Sequence, residues 1–271
     1  MPNLFLSPLE ISKSLSKIGE KKATASLFEL FIFGILAGIY IAFGANCATV
    51  ILSGGTLDPG FAKFLAGTVF SVGLMLVLIP GSELFTGNIL MTIGFIYHRY
   101  SFLKMLRNWL IVYLGNLCGA LIIAWLVNSS GLLVHLGEVT AVGATAIKIS
   151  QTKLQLVFSE ALSRGILCNM LVCLAVIMSI ASRTVTGKIL GIYFPIMTFV
   201  ASGYEHSVAN MYFLPIGLMA SGNFSREFLT IFNNLIPVTI GNIIGGLLIV
   251  LLHPKVEEKI ARSIIRKNAR I

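Results

Sequence analysis

Residues 199–211 read FVASGYEHSVANM, which puts a carboxylate, Glu205, and an imidazole, His206, into the middle of an apolar run that otherwise has the composition of a membrane helix. Ionisable groups at that depth are costly and face a partner, a cavity or a transport path. The run around them, 189–220, is interrupted by Pro195, Gly203, Asn210 and Pro215. A second run, 64–96, has the same form, with Pro80, Gly81, Glu83, Gly87 and Asn88 in its middle. As one helix it would be roughly 50 Å long against a bilayer core of about 30 Å, and it leaves no room for two full spans. Each run therefore reads as one span broken by an irregular loop.

The remaining chain supplies four uninterrupted spans, 30–52, 109–127, 157–181 and 232–252, so six are expected. Composition agrees: 56% hydrophobic residues, 11% charged residues and a mean hydropathy of +0.90 exclude a soluble domain and indicate an integral protein of the lipid bilayer. The net charge of +9 does not imply nucleic acid, because Lys and Arg sit at the termini and in short loops rather than on one continuous face. Cys47, Cys118, Cys168 and Cys173 lie in apolar runs without metal-ligand spacing and read as reduced packing residues; no metal and no cofactor are expected.

Ahead of the spans, Ser7-Pro8-Leu9-Glu10 reads as a capping box with proline at the first helical position. Ile11, Leu15 and Ile18 then recur opposite Lys13, Lys17 and Lys21, with Gly19 placed to loosen or end the helix. Residues 1–27 are expected to form an amphipathic cytoplasmic helix suited to a membrane surface, or an ordinary lead-in helix. No signal peptide is expected before it.

Three signatures recur in order in the two halves. Gly34-Ile35-Leu36 returns as Gly165-Ile166-Leu167, Gly81-Ser82-Glu83 with Asn88 as Gly203-Tyr204-Glu205 with Asn210, and Gly115-Asn116 with Gly119 as Gly241-Asn242 with Gly245, at offsets of 131, 122 and 126. The expected architecture is all-α, with six transmembrane helices arranged as an inverted 3+3 repeat whose second and fifth helices are broken. The halves span about 28–127 and 157–252 of a 28–252 membrane domain, followed by a basic cytoplasmic tail at 253–271. With the N-terminus inside, cytoplasmic segments hold Lys13, Lys17, Lys21, Lys22, Arg99, Lys104, Arg107, Arg183, Lys188 and six tail residues, which is 15 of the 20 Lys and Arg. Both termini are expected to be cytoplasmic, with the segments near Pro59, Gly137 and Ser221 outside.

The stretches PGSELFTGN (80–88), RGILCNMLVCLAV (164–176), FVASGYEHSVANM (199–211) and PVTIGNIIGG (237–246) resemble signatures of the formate/nitrite transporter family, and the likeness runs from about Lys22 to Leu252. The resemblance implies an aquaporin-like six-helix protomer with its own pore, assembled as a homopentamer in the cell inner (cytoplasmic) membrane. It implies a channel or transporter for a small monovalent anion, formate or nitrite first, with hydrosulfide, acetate or lactate as alternatives, with or without a proton. Matched position by position, the pore histidine is His206, the broken-loop threonine Thr86 and the pore asparagine Asn169. The constriction residues are Phe70, Leu74 and Phe199, with Leu84 and Phe85 nearby. Vestibule lysines match Lys22 inside and Lys153 outside, with Lys148 as the alternative to the latter. The chain has Gly87-Asn88 where some formate channels carry small hydroxyl residues, which leaves the substrate open.

The residues support the same work by themselves. An anion must shed water to pass an apolar constriction, at a cost of at least several kcal/mol. Backbone N–H groups at the helix breaks, the Thr86 hydroxyl and the Asn169 amide can replace that water, and lysines at the mouths raise the local anion concentration. His206 can donate to a carboxylate or share a proton with it. Glu83 and Glu205, with Asn88 and Asn210, are expected to hold the loops together rather than touch substrate. His98, His135 and His253 are weak candidates because they sit at span ends or in the outer loop. A membrane-embedded enzyme lacks a nucleophile–base pair or metal set here, and a non-transporting scaffold predicts no flux.

Overall fold

The computed structural model describes residues 4–254 and 256; the basic side chains of the expected tail, from Lys255 onward, lie outside the described residues. Helix α1 (Pro8–Thr24) starts at Ser7, whose backbone N–H and hydroxyl donate to Glu10 at 2.8 and 2.7 Å. Gly19 does not end it. It lies inside the helix and leaves room for Tyr100, whose ring a Cβ would strike, and the Tyr100 hydroxyl donates to the Met91 carbonyl. Ile11 and Leu15 pack with Leu90, Ile93, Cys173, Val176 and Val250, so this apolar stripe lies on the protein while Lys13 and Lys17 stay exposed.

In chain order follow α2 (Leu27–Leu52), α3 (Pro59–Leu78), and α4 (Phe85–Asn88), which passes through a single 3₁₀ turn, Ile89–Met91, into α5 (Thr92–Ile96). Then come α6 (Phe102–Ser129), a hairpin of β1 (Val134–His135) and β2 (Glu138–Val139), α7 (Ala141–Leu154), α8 (Phe158–Ala181), α9 (Val185–Ala201) and α10 (Ser207–Ala220). The short α11 (Phe224–Glu227) leads into α12 (Ile231–Leu251). Among the described residues, five helices are long and apolar enough to cross a membrane: α2, α3, α6, α8 and the stretch Phe224–Leu251. The run 189–220 holds two shorter apolar helices, α9 and α10.

Both overlong runs break where glycine takes a backbone conformation closed to most residues, Gly81 at φ +95° and Gly203 at φ +73°. Proline is not the breaker in the second: Pro195 lies inside α9 and Pro215 inside α10, each removing one helical donor without ending the helix. Span starts also move outward. Helix α6 begins at Phe102 rather than 109, because Ser101 caps it and helical bonding carries Lys104 and Arg107 that hydropathy alone excludes. Helix α7 is new to the structure. Of its small buried stripe, Ala146 and Ser150 pack on Gly217 of α10 while Gly143 lies against Leu133, and the Ser150 hydroxyl donates to the Leu214 carbonyl at 3.0 Å.

Helices α2 and α6 form one tight pair and α8 and α12 another; α3 packs on α2 and α9, and α10 on α7 and α6. Glycines set the first two separations. A Cβ at Gly119 would overlap the Ile35 carbonyl oxygen, and one at Gly245 the Ile166 carbonyl oxygen. Phe70, Leu74, Ile192, Ile196, Met211 and Tyr212 are among the fully buried side chains at the centre.

Candidate functional site

The irregular segment between α3 and α4 is tied down by three asparagines and an ion pair. Asn116 on α6 donates to the Gly34 and Glu83 carbonyls at 2.8 and 2.9 Å and accepts the Phe85 backbone N–H at 3.0 Å. Asn88 donates to the Glu83 carboxylate at 2.7 Å and to the Asn108 amide oxygen at 2.8 Å. Lys22 lies 3.0 Å from Glu83 and donates to Asn88 Oδ1 at 2.6 Å.

The segment between α9 and α10 has a matching net, except that Asn210 Oδ1, unlike Asn88 Oδ1, has no hydrogen-bond partner among the described residues. Asn242 on α12 donates to the Gly165 and Glu205 carbonyls at 2.8 and 3.0 Å and accepts the Ser207 N–H at 2.9 Å. Asn210 donates to the Glu205 carboxylate at 2.6 Å and to Asn234 Oδ1 at 2.7 Å, while Lys153 lies 2.8 Å from Glu205. Every pair of equivalent partners is separated by the offsets seen in the sequence: 131 for Lys22 and Gly34, 122 for Glu83, Phe85 and Asn88, and 126 for Asn108 and Asn116. Lys153 is thus the lysine at the second loop, and Lys148 stands exposed on α7. Broken helix ends leave backbone N–H and C=O groups without helical partners, and here side-chain amides take that place.

The two nets meet at a pair that the offsets do not duplicate. Thr86 Oγ1 lies 2.8 Å from His206 Nε2, and both residues are buried. The residue 122 positions after Thr86 is Val208, and the residue 122 before His206 is Leu84. His206 Nδ1 accepts the Ala209 backbone N–H at 3.1 Å, as the cap of α10. An Nδ1 that accepts carries no proton, so the neutral ring holds its proton on Nε2 and donates it to Thr86 Oγ1. The hydroxyl proton of Thr86 then remains available to a further acceptor.

Asn169 on α8 also has no duplicate, since the residue 131 positions earlier is Gly38. Its amide nitrogen donates to the Thr86 carbonyl at 3.2 Å and the Asn242 carbonyl at 2.6 Å. In this arrangement both of its donors are occupied by backbone carbonyls.

Phe199 stacks on the His206 ring at 5.8 Å between centroids, and Phe70 meets Phe199 edge-on at 5.6 Å. Phe70, Leu74, Phe199 and Leu84 are all buried. Phe85 lies elsewhere, against Tyr113 and Trp109 of α6 at 4.9 and 6.4 Å. On the side of Lys22 a cavity of 530 Å³ opens onto Glu83, Leu84 and Asn88, with Lys21 and Lys188 also in its wall. Sequence reasoning passed over Asn108, Asn234 and Ser207; the recurring offset of 126 held the signal for the first two.

A family model described as formate/nitrite transporter matches residues 9–255. The chain is 43% identical over 265 residues to a probable formate transporter of Methanothermobacter thermautotrophicus, covering 92% of this chain and 96% of that one. It is 38% identical over 267 residues to the formate channel FocA of Escherichia coli (strain K12), covering 91% and 92%. Its fold is similar to that of a pentameric formate channel with formate bound, with a TM-score of 0.71, 34% identity and coverage of 83% of this chain and 94% of that chain. A solved ion channel of the same family gives a TM-score of 0.81 at 29% identity, covering 89% and 96%. With matches of this extent in sequence and fold, this membrane protein belongs to the formate/nitrite transporter family.

Proposed function

We infer that the chain conducts a small monovalent anion, formate or alternatively nitrite, along a path through each protomer that passes between Phe70, Leu74, Leu84 and Phe199 and meets Thr86 and His206 at its polar centre. The observation that carries this reading is the Thr86–His206 bond of 2.8 Å, formed where two broken helices meet and absent from the duplicated net around it. The relatives named as formate transporter and formate channel supply the substrate class.

The duplicated net supports an inverted repeat of two three-span halves, 28–127 and 157–252, in which α3 with α4–α5 and α9 with α10 each act as one broken span. Six spans put both termini on one side, and the positive residues put that side in the cytoplasm of an inner membrane, with residues 1–27 and the tail 253–271 there. Because a solved relative is described as pentameric, a homopentamer is the assembly proposed for this chain.

In this reading the ion pairs Lys22–Glu83 and Lys153–Glu205 stand at the two ends of the path. A paired lysine presents little net charge, so its work there is to hold the break open and to keep loop amides in place. At the centre a substrate oxygen accepts from the Thr86 hydroxyl, itself oriented by His206 Nε2–H. Direct proton donation from the ring requires the imidazolium, whose Nδ1–H would oppose the Ala209 N–H. Hydrogen bonding from a neutral ring is therefore the role proposed for His206, and the proton that accompanies a weak acid arrives with it.

Flux of formate, nitrite, hydrosulfide, acetate and lactate into proteoliposomes at two pH values tests the reading. Formate or nitrite flux well above that of empty vesicles supports it, and no flux of any of them overturns it.

A further inference from the structure

Three residues past the asparagine of each net the two halves differ: Met91 follows Asn88, and Phe213 follows Asn210. The lysines of the two nets differ beside them. Their backbones hold equivalent places, the Lys22 carbonyl accepting from Asn108 at 3.5 Å and the Lys153 carbonyl from Asn234 at 2.9 Å. Each ammonium meets the equivalent glutamate, at 3.0 and 2.8 Å, and the side chains are similarly exposed, 20% and 15%. The second partner is not the same. Lys22 donates to Asn88 Oδ1 at 2.6 Å, whereas Lys153 stands over the Phe213 ring, 5.3 Å from its centroid, and Asn210 Oδ1 has no hydrogen-bond partner among the described residues.

The face of an aromatic ring carries negative partial charge and attracts an ammonium within about 6 Å. The thioether of Met91 has no such face. A buried acceptor without a partner is unfavourable, so an arrangement that leaves Asn210 Oδ1 open needs something to hold the ammonium elsewhere, and the ring does this. Phe213 is itself fixed from behind: half-buried, it stacks on Phe70 at 6.4 Å, and Phe70 meets Phe199 edge-on at 5.6 Å. An ammonium has three N–H donors, and the ring takes up charge without binding any of them in a fixed direction. Among the described residues Lys22 donates to both Glu83 and Asn88, while Lys153 donates to Glu205 alone.

We propose that Phe213 is a positioning residue that draws the Lys153 ammonium off Asn210 and so leaves it N–H donors for a small oxyanion entering at that mouth. The two mouths are then unequal: the one at Lys153 docks the anion, and the one at Lys22 has its lysine committed to the loop. The inference rests on the anion-path reading above and goes beyond it to the residue that makes the ends differ. Glu205 stays on the ammonium and cancels most of its charge, so docking works at short range, through N–H bonds to a carboxylate or nitrite oxygen, rather than by distant attraction.

The test measures formate flux against formate concentration in right-side-out and inverted membrane vesicles carrying the full-length assembled protein. Phe213→Met gives the second half the residue of the first. The half-saturating concentration should rise about threefold to tenfold from the face on which Lys153 lies and stay unchanged from the other, with the maximal rate within about twofold of wild type. Phe213→Tyr keeps an aromatic face, and its half-saturating concentration should stay within about twofold of wild type. Monofluoro-, difluoro- and trifluorophenylalanine at position 213 keep the shape of the ring while draining its negative face, so the half-saturating concentration should rise in that order. An unchanged value in Phe213→Met, an equal rise from both faces, or a fall in maximal rate alone overturns the proposal. If Phe213→Met does not assemble, the fluorinated series decides, and a flat series overturns it. Wild-type vesicles that carry no formate would overturn the anion-path reading and this inference with it.

Discussion

The Lys22 ammonium lies 3.0 Å from the Glu83 carboxylate and shares it with the Asn88 amide, 2.7 Å away. A lysine held this way acts on its neighbours more than on distant anions. Lys22→Gln should therefore lower flux at saturating as well as at low substrate, and the loss should persist in 0.5 M salt, about where the screening length falls to roughly 4–5 Å. Flux measured at two ionic strengths checks this. A loss confined to low substrate and low salt would restore the expectation that Lys22 works by recruiting anions.

Asn116 and Asn242 each close a helix break with three hydrogen bonds, two donated to carbonyls and one accepted from a backbone N–H. Replacing either with leucine strands buried backbone groups at about 1–3 kcal/mol apiece. Asn116→Leu and Asn242→Leu should each lower the thermal transition of the purified assembly by several degrees or prevent assembly, and to a similar extent. Fluorescence-detected size exclusion after heating gives the comparison.

Gly119 and Gly245 let their helices cross at backbone contact distance. Gly119→Ala and Gly245→Ala should each destabilise the protein by about 1–3 kcal/mol, because the helix pairs must separate to admit the methyl group. Gly137, in a turn with φ +84° where a Cβ meets nothing within 4 Å, provides the contrast, since its cost is backbone strain alone. Denaturant or thermal titration in detergent separates the two cases.

The proposed orientation is open to labelling. In a background with Cys47, Cys118, Cys168 and Cys173 removed, a cysteine at position 137 should react with a membrane-impermeant maleimide added from the periplasmic side. Reaction only from the cytoplasmic side would reverse the proposed topology.

Much of this architecture was legible because chemistry and repetition coincide. Glu83-Asn88 and Glu205-Asn210 announce buried polar groups, and the common offset of 122 says that they serve one purpose twice. Gly81 and Gly203 mark where the chain turns, whereas Pro195 and Pro215 misled because a proline inside a helix removes one bond and need not end it. Helix α7 was hidden by its stripe of Gly143, Ala146 and Ser150, which is too small and weakly apolar to register as a periodic face. What occupies the Asn169 amide also lies beyond sequence, since it depends on two carbonyls 83 and 73 residues away along the chain.

Thr86 stands between His206 and the proposed path, so its hydroxyl should matter as much as the ring. Thr86→Val keeps the shape and removes the donor; formate flux should fall about tenfold, and Thr86→Ser should recover most of it. Equal flux in Thr86→Val and wild type would take Thr86 out of the account.

The most direct measurement is formate flux, as a function of pH, through assembled His206→Phe and His206→Asn proteins in liposomes. Phenylalanine leaves Thr86 without its orienting donor, and most of the formate flux should be lost while size exclusion remains that of wild type. Asparagine keeps a donor and cannot titrate; if the neutral ring acts by hydrogen bonding alone, a substantial share of the flux and its pH dependence should survive. Wild-type formate flux in assembled His206→Phe would contradict the account.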